Sequence, residues 1–137
     1  LALTVQEEIK MKNKRILLVD DESDATTALT FALEGYGFEV DSYNNPLVAL
    51  SNFKSNYYDL AILDIKMPKI SGFELLREIR KEDENLQICF LTALTELRDH
   101  MSDTNELSPA FVKDWVIRKP ISNKDLINEI NRIISSS

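Results

Sequence analysis

The chain has 137 residues, 44% hydrophobic and 28% charged, with 3 Gly and 4 Pro, a make-up that suits one globular domain and excludes a largely disordered or collagen-like chain. Its 23 acidic residues outnumber 16 basic ones for a net charge of −7, which argues against a nucleic-acid-binding face and suits a site that holds a cation. The single cysteine, Cys89, excludes an internal disulfide and a cysteine-cluster zinc site, and no apolar run approaches the ~18 residues of a membrane helix.

Residues 1–14 precede the first predicted element and read as an N-terminal extension or a vector-derived remnant, with Met11 a natural start. Glu7 and Glu8 stand where a signal peptide would be apolar, so a cytoplasmic location is expected. Arg15 to Val19 is a short apolar run, the pattern of a strand buried on both faces, and it ends at Asp20 and Asp21. Ala25, Ala28, Leu29, Ala32, Leu33 and Tyr36 recur at three- and four-residue spacing and predict a helix. Ser23 or Asp24 is its expected cap, and Gly35 and Gly37 mark its end. Phe38 to Tyr43 alternates as a second strand. Asn45 and Pro46 read as an N-cap and first helical residue, followed by a short helix carrying Leu47, Leu50 and Phe53.

Asp59 to Leu63 is a third strand, ending at Asp64. A helix with Phe73, Leu76, Ile79 and Arg80 follows Ser71 and Gly72. Leu86 to Leu91 is a fourth strand ending at Thr92, and Cys89 within it reads as a buried thiol. A fourth helix is placed near 93–104, a polar stretch that contains His100, read as solvent-exposed. Trp115 to Arg118 is a fifth strand ending at Lys119 and Pro120. Ser122 and Asp125 resemble a capping box before a helix with Leu126, Ile127, Ile130, Ile133 and Ile134 on one stripe. The order is strand then helix, five times over. This predicts an α/β fold, a doubly wound parallel sheet covered by helices on both faces.

In such a sheet the ligand lies outside the carboxyl ends of the strands. Those ends carry Asp20, Asp21, Asp64, Thr92 and Lys119, drawn from four strands far apart in sequence. Each alone suits a turn or a strand; together they form a chemical set. Two carboxylates ~5 Å apart repel by roughly 3 kcal/mol at an effective dielectric of 20. A hard divalent cation removes that repulsion, and oxygen-only ligands favour Mg²⁺ over Zn²⁺. Asp64 can then act as a carboxylate nucleophile toward phosphorus. Lys119 supplies a point charge and Thr92 a hydrogen bond for phosphoryl oxygens.

Ile16 to Glu22, Leu63 to Pro68, Ser71-Gly72, Leu91 to Ala93 and Arg118 to Ile121 resemble, in order, the motifs of response-regulator receiver domains of two-component systems. The resemblance spans about residues 14–135, with 15–135 expected to be the receiver domain and no output domain in this chain. It implies the flavodoxin-like strand order 2-1-3-4-5. It implies Asp64 as phosphoacceptor, with Asp20, Asp21, Asp64 and the backbone carbonyl of Lys66 around Mg²⁺ (or Mn²⁺). Thr92 matches the switch hydroxyl, Ala93 the small residue beside it, and Lys119 the phosphate-binding lysine, with a cis peptide before Pro120.

The partners it implies are a sensor histidine kinase or phosphotransfer protein, and an output partner or a second copy that binds on phosphorylation. No nucleic acid through this domain and no membrane are expected, and the only catalysis implied is of the chain's own phosphorylation and dephosphorylation. Lys66 and Leu94 match positions that tune phosphoryl lifetime.

Two departures stand out. The interval from Thr92 to Lys119 is longer than usual, and the position of the switch aromatic holds Val116, with Trp115 beside it as a possible switch or interface residue. An alternative reading is a receiver-like interaction module that is never phosphorylated. An aspartyl phosphatase would want a second Asp two residues after the first, where this chain has Lys66 and Glu22. A flavin carrier would need an uncharged phosphate loop where Asp20, Asp21 and Glu22 stand.

Overall fold

The computed structural model describes residues 4–5, 13–93 and 116–135. Its strands are β1 (Arg15–Val19), β2 (Glu39–Tyr43), β3 (Leu60–Leu63), β4 (Gln87–Thr92) and β5 (Val116–Arg118). The described helices are α1 (Ser23–Gly35), α2 (Pro46–Ser51), α3 (Gly72–Glu82) and α4 (Asn123–Ser135). All strand pairs are parallel, in the order β2-β1-β3-β4-β5. Apart from Ala93, the segment predicted as a fourth helix near 93–104 lies outside the described residues, as do Leu94, His100 and Trp115. Among the described residues, no helix is long and apolar enough to cross a membrane.

Strand alternation divides the core into two layers. Leu17, Val19, Ala61, Leu63, Ile88 and Phe90 face one side, where they meet Ala49 of α2 and Leu75, Leu76 and Ile79 of α3. Ile16, Leu18, Leu60, Ile62, Cys89 and Leu91 face the other, against Leu33 of α1 and Leu126, Ile127, Ile130, Ile133 and Ile134 of α4. Each buried Val, Leu or Ile side chain among them contributes about 1.5–3 kcal/mol. Central strands covered on both faces need apolar residues at every position, which explains their unbroken runs.

The helix starts vary in chemistry. Asn45 Oδ1 accepts from Leu47 N at 2.9 Å, with Pro46 as the first residue of α2. α3 opens with a full capping box: Ser71 Oγ accepts from Glu74 N, and Glu74 Oε1 accepts from Ser71 N. Ser122 Oγ accepts from Asp125 N at the start of α4. The cap expected of Ser23 or Asp24 is not formed. Both lie inside α1, whose N-cap is Glu22 with no side-chain cap bond, and the Glu22 N–H is instead taken by Asp20 Oδ1 at 3.0 Å.

The predicted apolar stripes also shift. On α1 the buried line runs through Thr26 and Leu33, with Leu29 packed alongside, while Ala28 and Tyr36 are exposed. Phe31 is 82% exposed. On α2 Leu47 is exposed and Ala49 takes the buried position, while Phe53 packs from beyond the helix end.

Cys89 is fully buried in β4. Burial pushes its thiol from an ordinary 9.0 up to about 12, with Glu129 adding to the rise. Disulfide reagents at pH 8 are therefore expected to label it only after unfolding. Because the folded pKa is raised, the unfolded thiol ionises first as pH rises above about 9, and this contribution to stability is lost between there and about 12. Denaturation midpoints across that window, compared with a Cys89→Val variant, check the sign.

Candidate functional site

At the carboxyl ends of the strands the backbone ladder runs one residue past each functional strand. Asp20 N donates to Tyr43 O at 3.1 Å, Asp64 N to Val19 O at 2.9 Å, and Lys119 N to Thr92 O at 2.9 Å. The order β2-β1-β3 places the change of winding direction between β1 and β3, the position where doubly wound sheets open a crevice. Asp20 and Asp21 follow β1 and Asp64 follows β3, so the acids meet at that crevice.

Each of Asp20, Asp21 and Asp64 offers one carboxylate oxygen, and the three atoms lie within 4.8 Å of one another. Asp20 and Asp64 are buried and Asp21 is exposed. Asp64 Oδ1 accepts from Ile65 N at 2.9 Å. Asp20 is held by both carboxylate oxygens: Oδ1 accepts from Glu22 N, and Oδ2 pairs with Lys119 Nζ at 3.1 Å. Burial alone would lower the Lys119 pKa, but the fields of Asp64 and Asp20 and the Asp20 hydrogen bond outweigh it, so the ammonium is held above its ordinary value and stays charged. Three carboxylates with one ammonium leave an anionic pocket of oxygen donors, a set that fits a hard divalent cation.

The other residues picked out from the sequence surround this cluster. Thr92 is fully buried at the end of β4, and Ala93 next to it is half-buried. The Lys119–Pro120 peptide is cis. The Lys66 side chain is exposed. Val116 is half-buried and packs on the layer beneath α2 and α3.

The family profile described as response regulator receiver domain matches residues 16–131. The chain belongs to the response regulator receiver family. It is 37% identical over 123 residues to the transcriptional regulatory protein CpxR homolog of Haemophilus influenzae, covering 90% of this chain and 51% of that one. It is 33% identical to the response regulator receiver protein CpdR of Brucella abortus, over 88% of this chain and 97% of that one. The receiver thus spans about half the length of the first relative and nearly all of the second. Among solved structures it resembles response regulator protein TrrA of Thermotoga maritima in complex with Mg(2+)-BeF, at TM-score 0.72 and 37% identity over 88% of this chain and 98% of that one. TrrA has also been solved in complex with histidine kinase ThkA.

Three features of this receiver's site carried no physical role in the sequence reading. Gly72 packs so closely on the loop after β3 that a Cβ there would lie 2.2 Å from the Asp64 carbonyl oxygen; the Ser71-Gly72 pair was legible as a motif, but not this contact. The Ser71–Glu74 box was visible as Ser-x-x-Glu before an apolar run. Lys69 adopts φ 76° beneath a tight turn in which Ile70 N donates to Pro68 O at 3.0 Å. That conformation is rare outside glycine.

Proposed function

We propose that this receiver is a phosphorylation switch whose acceptor is Asp64. The observation that carries the reading is the convergence of three carboxylate oxygens within 4.8 Å, one of them on a buried Asp64. Asp20, Asp21, Asp64 and the Lys66 carbonyl would hold Mg²⁺ or Mn²⁺. When bound, the cation would offset the charge of the acids and of the incoming phosphoryl group. An Asp64 carboxylate oxygen bonds to phosphorus as the bond to the donor's histidine nitrogen breaks, and the imidazole leaves with the electron pair. Lys119, whose ammonium now pairs with Asp20 and lies in the field of Asp64, contributes its charge to the phosphoryl oxygens. Thr92 hydrogen-bonds another of those oxygens, and small Ala93 leaves the approach open.

The donor is a sensor histidine kinase or a phosphotransfer protein, a reading supported by the complex of TrrA with ThkA. A cleft between α1 and α4, lined by Ala25, Leu29, Ile121 and Leu126, has Asp20 and Lys119 at its edge and could seat such a donor beside the acceptor. The output is a change in the segment after Thr92, β5 and α4, read by a partner or a second copy. To shift the population substantially, phosphorylation must favour the active state by a few kcal/mol.

Incubation with acetyl phosphate and Mg²⁺ is expected to add one phosphate per chain. The product should be labile to hydroxylamine, as an acyl phosphate is, and should not form in excess chelator. Mass spectrometry reads all three; an unchanged mass, or a label that survives hydroxylamine, overturns the reading.

A further inference from the structure

The acids of the site stand on a very short link. Only Asp20, Asp21 and Glu22 separate the end of β1 from the first residue of α1. Asp21 is exposed, and among the described residues no side-chain hydrogen bond to it is found, so its placement depends on the backbone around it. That backbone is framed from outside by one side chain of the β2–α2 loop. Asn44 Nδ2 donates to the main-chain oxygen of Asp20 at 2.9 Å and to Thr26 Oγ1 at 2.9 Å. Thr26 Oγ1 in turn donates to Ser23 O at 3.0 Å.

The chemistry of this frame is selective. The Asp20 carbonyl can only accept, and the Thr26 hydroxyl has already committed its proton to Ser23. Both partners therefore require a donor, and a carboxylate at position 44 would supply none. Thr26 is 4% exposed, so its hydroxyl meets protein rather than water. The chain Asp20 O, Asn44, Thr26, Ser23 O grips the link at its first residue and just past its last. These bonds tie both ends of the link that carries Asp21 to the β2–α2 loop.

We infer that Asn44 and Thr26 are positioning residues for cation binding: they hold the Asp20–Asp21 link so that its carboxylates meet that of Asp64. Neither touches the cation or the phosphoryl group. This inference rests on the proposed cation site.

The test is Mg²⁺ binding by calorimetry on the purified chain, with thermal melts alongside. Asn44→Ala and Thr26→Val are expected to weaken Mg²⁺ binding about five- to tenfold, the loss of one neutral hydrogen bond's worth of preorganisation. Thr26→Ser keeps the hydroxyl and is expected to retain wild-type affinity. Asn45→Ala serves as the comparison: it removes the neighbouring α2 cap, lowers the melting temperature, and leaves Mg²⁺ affinity within about twofold. A merely structural role for Asn44 predicts the opposite pattern, in which affinity follows melting temperature whichever residue is changed. Wild-type affinity in both Asn44→Ala and Thr26→Val, or equal weakening by Asn45→Ala, overturns the inference while leaving the cation site standing. Wild-type protein that binds no Mg²⁺ overturns both.

Discussion

Asp64→Asn is expected to eliminate phosphate uptake while making the metal-free chain more stable. Asparagine is nearly isosteric, and its side-chain oxygen can still accept from Ile65 N, the bond that orients Asp64 Oδ1. What disappears is the anionic nucleophile and one of three charges packed within 4.8 Å. At an effective dielectric near 20, each such pair repels by about 3 kcal/mol before Lys119 and solvent offset it. A net gain of about 1–2 kcal/mol is a reasonable share, which in a domain of this size raises the melting temperature by about 3–8 °C. Mg²⁺ should stabilise the wild type strongly and the variant weakly, since a ligand stabilises only by what it gains on binding the folded state. Labelling by acetyl phosphate, followed by melts with and without Mg²⁺, separates the two effects. Undiminished labelling of the variant would remove Asp64 from the acceptor role.

Gly72→Ala is expected to damage the fold severely. The added Cβ would stand 2.2 Å from the Asp64 oxygen, 3.0 Å from the Asp64 carbonyl carbon and 3.0 Å from Ile65 Cα. All three are backbone atoms, so no rotamer change can clear them. Gly72 N also donates to Ile65 O at 2.7 Å, and pushing the two segments apart stretches that bond. Overpacking and the weakened hydrogen bond together suggest a loss of about 3 kcal/mol, seen as a lower denaturant midpoint, with slower phosphorylation because Asp64 itself is displaced. Gly35→Ala gives the contrast. Nothing lies within 4 Å of a Cβ there, and at the end of α1 alanine should be neutral or stabilising by up to about 1 kcal/mol. Equal stability of the two variants would refute the packing argument.

The contrast between these glycines illustrates what was legible beforehand. The central strands could be read because burial on both faces leaves an unbroken apolar run, as in Leu60 to Leu63. The α4 stripe could be read because all five of its predicted apolar residues are buried. The acids and Lys119 could be found because a doubly wound sheet directs chemistry to one edge. Less legible was α1, whose deepest residues include the polar Thr26; a hydroxyl buried by an amide from another loop leaves no hydrophobic periodicity. The cap of α1 was misplaced because the helix begins at Ser23 itself, so that Ser23 and Asp24 lie inside it and Glu22, whose own N–H donates to Asp20, takes the N-cap position. Asn44 and Gly72 act through contacts 24 and 8 positions away, and spacing along one segment cannot register them.

The extension of the ladder past Val19, Leu63 and Arg118 has a consequence for how such a device responds. Asp64, Asp20 and Lys119, the proposed acceptor, cation ligand and phosphate-binding lysine, hang from strand ends that the hydrogen-bonded sheet holds in place. An arriving charge therefore finds its counter-groups already aimed, and little free energy is dissipated in bringing them into line. The displacement it provokes must then be absorbed by rotating side chains and by loops beyond the sheet rim, so that a message leaves the site while the frame that received it stays put.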